Sequence, residues 1–188
     1  MNKLYGVGIN DKSIQVNFNG RRIKEYTLWN NILKRCYNTS YHIERPTYSD
    51  CTLSENFKNF NYFYQWCQNK IGFRNQNWQL DKDILLKGNK IYHEDLCVFV
   101  PPDINGLFIK SNATRGNLPI GVSLHYSGKY IAQCKNTYIG IYLSSDEAFR
   151  AYKAFKENLI LTKALQYQNH IDIKLYNAML NYEVSIND

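Results

Sequence analysis

The sequence predicts an α+β protein in which a helical N-terminal part carries a strand–strand–helix module and precedes a three-stranded antiparallel sheet packed on one helix. Three observations lead to this prediction. Apolar residues recur at helical spacing between residues 25 and 67. Two strand-like runs separated by a glycine-containing turn follow within residues 78–100. Three short strand-like runs within residues 119–143 then lead into a long amphipathic pattern.

The N-terminal half is predicted to contain a hairpin, two helices and a loop. Residues 1–23 are rich in turn residues and suit a short hairpin. Helical spacing predicts the first helix from Glu25 to Tyr37 and a second helix that begins near Ser54. The polar stretch between them, residues 39–52, is predicted to be a loop.

The middle of the chain is predicted to form a hairpin followed by a short helix. Residues 78–86 and 91–100 have the composition of strands, and Lys87–Lys90 supplies a turn between them. The consecutive prolines Pro101 and Pro102 suit the first turn of a helix, where a missing N–H costs little.

Small polar residues at 110–117 are typical of a linker. We therefore predict one domain over residues 1–109 and a second over residues 118–188.

The second domain begins with three predicted strands, at residues 119–124, 129–135 and 137–143. A Ser-x-x-Glu capping box at Ser144–Glu147 then starts a helix that covers one face of the sheet. The other face is expected to stay exposed, where it is able to enter a DNA groove. A final helix is predicted over residues 173–180.

The composition is that of a basic protein with enough apolar residues for a core. The chain has 188 residues, 44% of them hydrophobic, and 15% are aromatic. Lysine and arginine number 23 against 16 acidic residues, which gives a net charge of +7. Positive charge and aromatic rings suit a nucleic acid better than an acidic small molecule. The composition therefore favours a nucleic acid as the partner over a small-molecule substrate.

The N-terminus and the cysteines indicate a reducing cytosol. Residues 1–6 are too polar for a signal peptide, and no run reaches the roughly 18 apolar residues that span a bilayer. We expect a cytoplasmic protein without a membrane partner. The five cysteines form no Cys-x-x-Cys pair, which argues against a disulfide framework or a zinc finger. Buried thiols are the simpler interpretation, and the open alternative is a metal site built from Cys36, Cys51 and Cys97 with His42 or His93.

A series of short motifs in the second half points to a known DNA-binding domain. They are Gly121-Val122, Gly128-Lys129-Tyr130 with Ala132, Ile139-Gly140, Glu147-Ala148 and Ala151-Tyr152-Lys153. In order and type they resemble the plant ethylene-response-type (Apetala-like) DNA-binding domain. The resemblance implies that the sheet reads DNA.

The groove-facing positions of that family fall here on residues that, with one exception, carry no formal charge. The groove-reading positions are Ile120, Ser123, His125, Gln133, Lys135, Asn136 and Tyr138, all of which except Ile120 are predicted DNA contacts. Lys129, from the Gly128-Lys129-Tyr130 motif, is a further predicted DNA contact. Of the family's groove-reading positions, only Lys135 preserves charge. The polar side chains suit base edges, and Tyr138 suits a sugar or a thymine methyl group. The alternative is a solvated polar sheet face.

A second set of motifs lies in the first domain. It comprises Arg35-Cys36-Tyr37, Pro46-Thr47-Tyr48, Leu80–Ile84, Gly88-Asn89, Tyr92–Cys97 and Asn105. Their order resembles phage-encoded HNH homing-endonuclease-like proteins. The resemblance implies a strand–strand–helix module that holds one divalent cation, Mg²⁺ or Mn²⁺, through Asp81 on a strand and Asn105 on the helix. A hard cation with oxygen ligands would stabilise the charge that develops during phosphodiester cleavage.

Two positions depart from the HNH pattern. Lys82 stands where the general-base histidine is expected, and Leu96 stands where a central asparagine is expected. Lysine is a poor base at its ordinary pKa. His93 is the candidate replacement base, and Asp83 is a candidate second metal ligand because residues two apart share a strand face. The catalytic candidates are therefore Asp81, Lys82, His93 and Asn105, and the metal candidates are Asp81, Asp83 and Asn105.

The leading hypothesis is a phage or mobile-element DNA-binding protein of the HNH homing-endonuclease type, with metal-dependent cleavage of DNA. The rival is a catalytically inactive regulator derived from such a nuclease, which the two departures favour. A third hypothesis is a protein-binding module whose aromatic surface contacts a host protein. The sequence does not determine the target site, the metal, nicking versus double-strand cutting, or the oligomeric state.

Overall fold

A computed structural model describes residues 3–109 and 117–186. It is a mixed helix and strand structure with small antiparallel sheets, as predicted. The chain divides into two compact units: unit 1 is Met1–Pro102 with His170–Leu175, and unit 2 is Asp103–Asn169 with Tyr176–Asp188. All of the predicted linker except Asn117 lies outside the described residues, and the predicted domain limits stay a prediction.

Unit 1 begins with a hairpin and a long helix, both of which the sequence predicted. Strands β1 (Asn17–Phe18) and β2 (Arg21–Arg22) pair antiparallel. Helix α1 (Lys24–Tyr37) buries one apolar stripe, which consists of Trp29, Ile32, Leu33 and Cys36. This buried stripe has the helical spacing from which the helix was predicted.

The predicted loop over residues 39–52 is wrong in part, because it contains a short helix. Helix α2 (Thr39–Glu44) follows α1 after Asn38, whose side-chain oxygen accepts a hydrogen bond from Tyr41 N at 2.7 Å. This cap satisfies an amide that the new helix would otherwise leave unpaired. A 3₁₀ turn at Pro46–Tyr48 follows.

The second predicted helix begins later than expected. After strand β3 (Thr52–Leu53) the chain makes a 3₁₀ turn at Asn56–Lys58, and helix α3 spans Phe60–Gln68. Asn59 separates the two because its extended backbone and side-chain oxygen cap the helix, accepting from Asn61 N at 2.9 Å. Helical spacing continues across this break, which is why periodicity alone placed the start at Ser54.

The core of unit 1 is largely aromatic. The Trp29 and Phe60 ring centroids lie 5.3 Å apart, and those of Phe57 and Trp66 lie 4.9 Å apart. The Trp29 indole nitrogen donates to the Phe57 carbonyl oxygen at 2.8 Å. A buried indole N–H needs such a partner, so this bond fixes α1 against the turn that precedes α3.

The predicted hairpin over residues 78–100 is wrong in its details. Only β4 (Gln79–Asp81) and β6 (Val98–Val100) pair antiparallel, with Asp81 opposite Val98. Between them, β5 (Ile91–Tyr92) pairs in parallel with β3 instead. The short helix α4 (Pro102–Asn105) follows β6, as predicted from the prolines.

Unit 2 contains the predicted sheet and its covering helix. Strands β7 (Val122–Leu124), β8 (Tyr130–Cys134) and β9 (Thr137–Tyr142) form an antiparallel sheet in chain order. Helix α5 (Ser145–Tyr167) starts with the predicted capping box of Ser144 and Glu147, and helix α6 (Ile173–Leu180) follows.

Small residues let α5 lie close to the sheet. The buried contact consists of Val122, Ala132, Cys134, Ala148, Phe149 and Tyr152. Gly121, just before β7, has a φ of +76°, and a Cβ atom there would overlap the Tyr152 ring. Position 121 therefore requires glycine for both its backbone conformation and its side-chain space.

None of the described helices has the length and apolar character that crossing a membrane requires.

Candidate nucleic-acid interface

The exposed face of the unit 2 sheet is defined by its strand register. Ser123, Ile131 and Ile141 stand opposite one another across the three strands. Gln133 and Tyr138 form the next pair, after a β-bulge between Ala132 and Gln133. Because Ala132 is buried against α5, residues of alternate position point away from the helix. We call the five residues Ser123, Ile131, Gln133, Tyr138 and Ile141 the outer face.

The outer face is apolar at its centre. The side chain of Tyr138 is 62% exposed and that of Ile141 is 39% exposed. Ile131 and Ile141 were not among the predicted contact residues. Strand alternation from Gln133 places Ile131 on this face, whereas Ile141, three residues from Tyr138, shares the face because of the β-bulge. Apolar side chains here are able to contact deoxyribose and thymine methyl groups.

The β7–β8 turn extends the outer face at one end. His125 Nδ1 lies 2.7 Å from the Ser127 hydroxyl and accepts a hydrogen bond from Ser127 N at 3.3 Å. Since Nδ1 accepts, the ring proton belongs on Nε2, which is then a donor for a phosphate or base oxygen. Tyr126, which the sequence analysis missed, is 95% exposed in the same turn.

The β8–β9 turn contains two of the predicted DNA contacts. Lys135 and Asn136 lie in this turn, both exposed, and Lys135 has a φ of +53°. The Gln133 side-chain nitrogen donates to the Lys135 carbonyl oxygen at 2.8 Å. A bidentate contact from Gln133 to adenine would break that bond, so Gln133 is a weaker candidate for base reading than its exposure suggests. Lys129 lies exposed immediately before β8.

In unit 1, Asp81 lies at the end of β4 and its carboxylate organises the turn that follows. Asp81 Oδ1 accepts hydrogen bonds from Asp83 N at 2.7 Å and Ile84 N at 2.8 Å. Burial raises the pKa of Asp81, and the two amide hydrogen bonds oppose that rise. The strand ends here because the aspartate side chain replaces the strand as the partner of these amides.

Lys82 and Asp83 do not continue the strand, which corrects the expectation that Asp81 and Asp83 share a strand face. The turn after Asp81 directs Lys82 inward, where its side chain is only 6% exposed. Its ammonium group donates to the Asn89 carbonyl oxygen at 3.0 Å and contacts an Asp83 carboxylate oxygen. Lys82 thus forms an ion pair with Asp83, and its bond to Asn89 links the two ends of the segment between β4 and β5.

His93 follows β5 and is engaged with its own chain segment. Its Nδ1 accepts from Asp95 N at 3.1 Å and lies 3.7 Å from a Glu94 carboxylate oxygen. Glu94 is held in turn by Ser54, whose hydroxyl donates to it at 2.7 Å. Burial acts to raise the pKa of Glu94, but the hydrogen bonds that its carboxylate accepts, including the one from Ser54, outweigh burial and hold the pKa below its ordinary value.

Asn105 is the last residue of α4 and belongs to unit 2, whereas Asp81 belongs to unit 1. Asp103 on the same helix accepts hydrogen bonds from Lys163 and Tyr167 of α5, at 2.9 and 3.1 Å. Among the residues that the structure describes, no three His, Cys, Asp or Glu side chains are grouped so that they are able to share a metal ion. The metal-binding roles predicted for Asp81, Asp83 and Asn105 remain predictions.

The cysteines named in the alternative metal site are buried free thiols. Burial raises the pKa of Cys36 and of Cys97 to about 12, and it raises that of Cys51 as well. A metal ligand must be the thiolate, which these surroundings disfavour. His42 Nε2 lies 2.8 Å from the Arg35 carbonyl oxygen, so this nitrogen carries its proton.

No family model, curated protein or solved structure matches this chain.

The buried Asp81 carboxylate provides a stability prediction. Asp81→Asn retains an oxygen for the Asp83 and Ile84 amides but removes the charge that burial disfavours. Since the pKa of Asp81 is raised in the fold, its ionisation costs stability as pH rises through and above the ordinary value of 3.8. We therefore expect Asp81→Asn to melt at or above the parent temperature at pH 7, and this advantage to vanish near pH 3. Thermal unfolding followed by circular dichroism measures the difference in melting temperature between the two proteins at each pH.

Asp81→Leu is the matched control, because it removes the acceptor as well as the charge. It should lower the free energy of unfolding by about 1 to 3 kcal/mol. Equal losses in the Asn and Leu variants at pH 7 would show that the charge itself stabilises the turn.

Proposed function

We propose that the chain binds double-stranded DNA through the outer face of the unit 2 sheet. The observation that carries this proposal is a three-stranded sheet whose one face is covered by α5 while the opposite face presents Ser123, Gln133 and Tyr138 to solvent. Lys129 and Lys135 stand at the ends of β8 and supply positive charge beside that face. Lysines at the border position a protein on phosphates, and the side chains between them meet the bases.

The order of elements in unit 2 supports the resemblance to the ethylene-response-type domain. Three antiparallel strands precede a long capped helix, and Gly121 and Tyr152, both among the resembling motifs, contact each other. The resemblance of unit 1 to HNH homing-endonuclease-like proteins supports a phage-encoded origin and action in the host cytoplasm. On this proposal unit 1 is a module of nuclease ancestry.

Binding without cleavage is the form of this function that the geometry favours. Lys82, at the position of the HNH general base, is buried and donates to Asn89 and Asp83. A cation at Asp83 would meet the positive charge of the Lys82 ammonium group on the same carboxylate. One of the two Asp81 carboxylate oxygens already accepts two amide hydrogen bonds. These contacts support a regulator that holds DNA and leaves its phosphodiester bonds intact.

Salt dependence tests the DNA proposal. Affinity for a duplex should fall steeply as salt rises, and Lys135→Ala should make the slope of log affinity against log salt shallower by about 0.9, the value for one phosphate contact. Fluorescence anisotropy over a salt series measures the slope. Arg150→Ala, which removes an exposed charge from α5, is the matched control and should leave the slope unchanged. An affinity independent of salt would contradict DNA binding and favour a protein partner.

Cleavage is tested on supercoiled plasmid. We expect no nicked or linear product with Mg²⁺ or Mn²⁺, and equal DNA affinity with and without chelator. Metal-dependent nicking that Asp81→Asn abolishes, while DNA affinity is retained, would establish the nuclease hypothesis instead.

A further inference from the structure

The β1–β2 hairpin of unit 1 is a regular two-stranded ribbon with a tight turn. Phe18 pairs with Arg21, and Asn17 pairs with Arg22. The two turn residues, Asn19 and Gly20, have φ values of +47° and +73°. Positive φ at both central positions is the requirement of the type I′ turn, which matches the natural twist of a hairpin. The ribbon is therefore locally well defined.

The base of the ribbon is anchored in unit 1. Ile23 N donates to the Val16 carbonyl oxygen at 2.9 Å, which extends the ladder by one pair below Asn17 and Arg22. Val16 and Ile23 pack against the unit 1 core. The core thus holds the base in place while the tip carries its side chains into solvent.

The tip of the ribbon exposes one aromatic and two arginine side chains. Phe18 is 62% exposed, and Arg21 and Arg22 are both exposed. Strand alternation puts Phe18 and Arg21 on one face of the ribbon and Arg22 on the other. The Arg22 guanidinium lies 5.6 Å from the Tyr26 ring centroid. The Arg21 side chain forms no hydrogen bond or ion pair with any residue of the described ranges, and its backbone is paired only within the ribbon.

The geometry of this tip matches the major groove of duplex DNA. That groove is about 12 Å wide and admits a two-stranded ribbon. Arginine side chains bind phosphates, and an exposed phenylalanine is able to meet a thymine methyl group.

We propose that the Asn17–Arg22 hairpin is a second DNA contact, which enters the major groove with Phe18 against thymine methyl groups and with Arg21 and Arg22 against phosphates. This inference rests on the proposed function, because it assigns part of the same DNA-binding activity to unit 1. It makes unit 1 a contributor to both affinity and base preference.

The thymine contact is tested with the full chain and two duplexes of alternating A·T sequence, one containing thymine and the other uracil. Losing the contact with one buried methyl group should weaken binding about fourfold, and any methyl contacts of the outer face add to the preference of the parent for thymine. Phe18→Ala should reduce the thymine-to-uracil affinity ratio by the same factor. A ratio unchanged in Phe18→Ala would overturn the assignment of Phe18.

The phosphate contacts are tested by the double variant Arg21→Ala/Arg22→Ala. Its slope of log affinity against log salt should be shallower than that of the parent by about 1.8. Arg45→Ala/Arg74→Ala removes the same charge from exposed positions elsewhere in unit 1 and serves as the matched control. Equal changes in both double variants would overturn the hairpin contact, since they would reflect net charge alone.

Failure of this inference is distinguishable from failure of the proposed function. Hairpin variants that behave like the parent, together with loss of binding in a variant of Tyr138, would overturn the hairpin contact and leave the sheet interface standing. A parent protein that binds no duplex would overturn both. Binding to phosphatidylserine vesicles that depends on Phe18, with DNA affinity unaffected, would assign the hairpin to membranes and overturn the inference.

Discussion

Tyr138→Glu should reduce affinity for duplex DNA by at least tenfold at physiological salt. The substitution removes the most exposed aromatic ring of the outer face and puts a negative charge where phosphates approach. A like-charge pair about 4 Å apart costs about 1 kcal/mol even in water, and the lost ring contact adds to it. Since about 1.4 kcal/mol corresponds to a tenfold change, the two effects together account for the expected loss. Fluorescence anisotropy with a labelled duplex measures it.

Leu165→Glu is the matched control for this prediction. Leu165 lies on α5, also in unit 2, and its exposure of 55% is close to that of Tyr138. It changes the charge by the same amount outside the sheet, so we expect less than a twofold effect on affinity. Similar losses in both variants would mean that DNA senses only net charge, and the outer face would not be the interface.

Gly121→Ala should produce the second large effect, a loss of about 2 to 5 kcal/mol in the stability of unit 2. A non-glycine residue at φ of +76° costs about 1 to 2 kcal/mol. The new methyl group would also overlap the Tyr152 ring and force it away from its buried position against the sheet, an overpacking cost of about 1 to 3 kcal/mol. Chemical denaturation measures the loss.

Gly128→Ala separates the two causes. Gly128 has a similar φ of +81°, but a Cβ atom there would meet nothing within 4 Å. It should therefore lose only the backbone contribution of about 1 to 2 kcal/mol. If both variants lose the same stability, the contact between Gly121 and Tyr152 contributes nothing measurable.

Short-range patterns were the part of this fold that could be predicted. The stripe of α1 that contains Trp29 and Leu33 repeats at helical spacing, and the capping box of α5 lies within four consecutive residues, Ser144–Glu147. The three strands of unit 2 are joined by short turns, so each pairs with its neighbour in the chain. In each case the interacting residues are close in sequence, so the interaction could be predicted from the local sequence pattern.

Short-range strand patterns also predicted which residues belong to the candidate interface, but not the hydrogen bonds that these residues form. Ser123 and Gln133 lie on the outer face as strand alternation requires, whereas the β-bulge lets Tyr138 and Ile141, three residues apart on β9, share it. Their internal hydrogen bonds were not predictable from alternation. The bond from Gln133 to the Lys135 carbonyl depends on the bulge and turn geometry, and it changes what Gln133 is able to offer a base.

The end of β4 at Asp81 and the pairing of β5 depend on tertiary structure alone. The sequence from Trp78 to Leu86 has the composition of a strand throughout, yet β4 ends at Asp81 because its carboxylate binds the next amides. Strand β5 then leaves the expected hairpin to pair with β3, about forty residues earlier in the chain. The sequence by itself determined the local elements and the exposed sheet face, because their interactions are short-range. The burial of Lys82 and the engagement of Asp81 follow from the folded environment, in which distant strands compete for pairing and desolvation selects the partner of each charge.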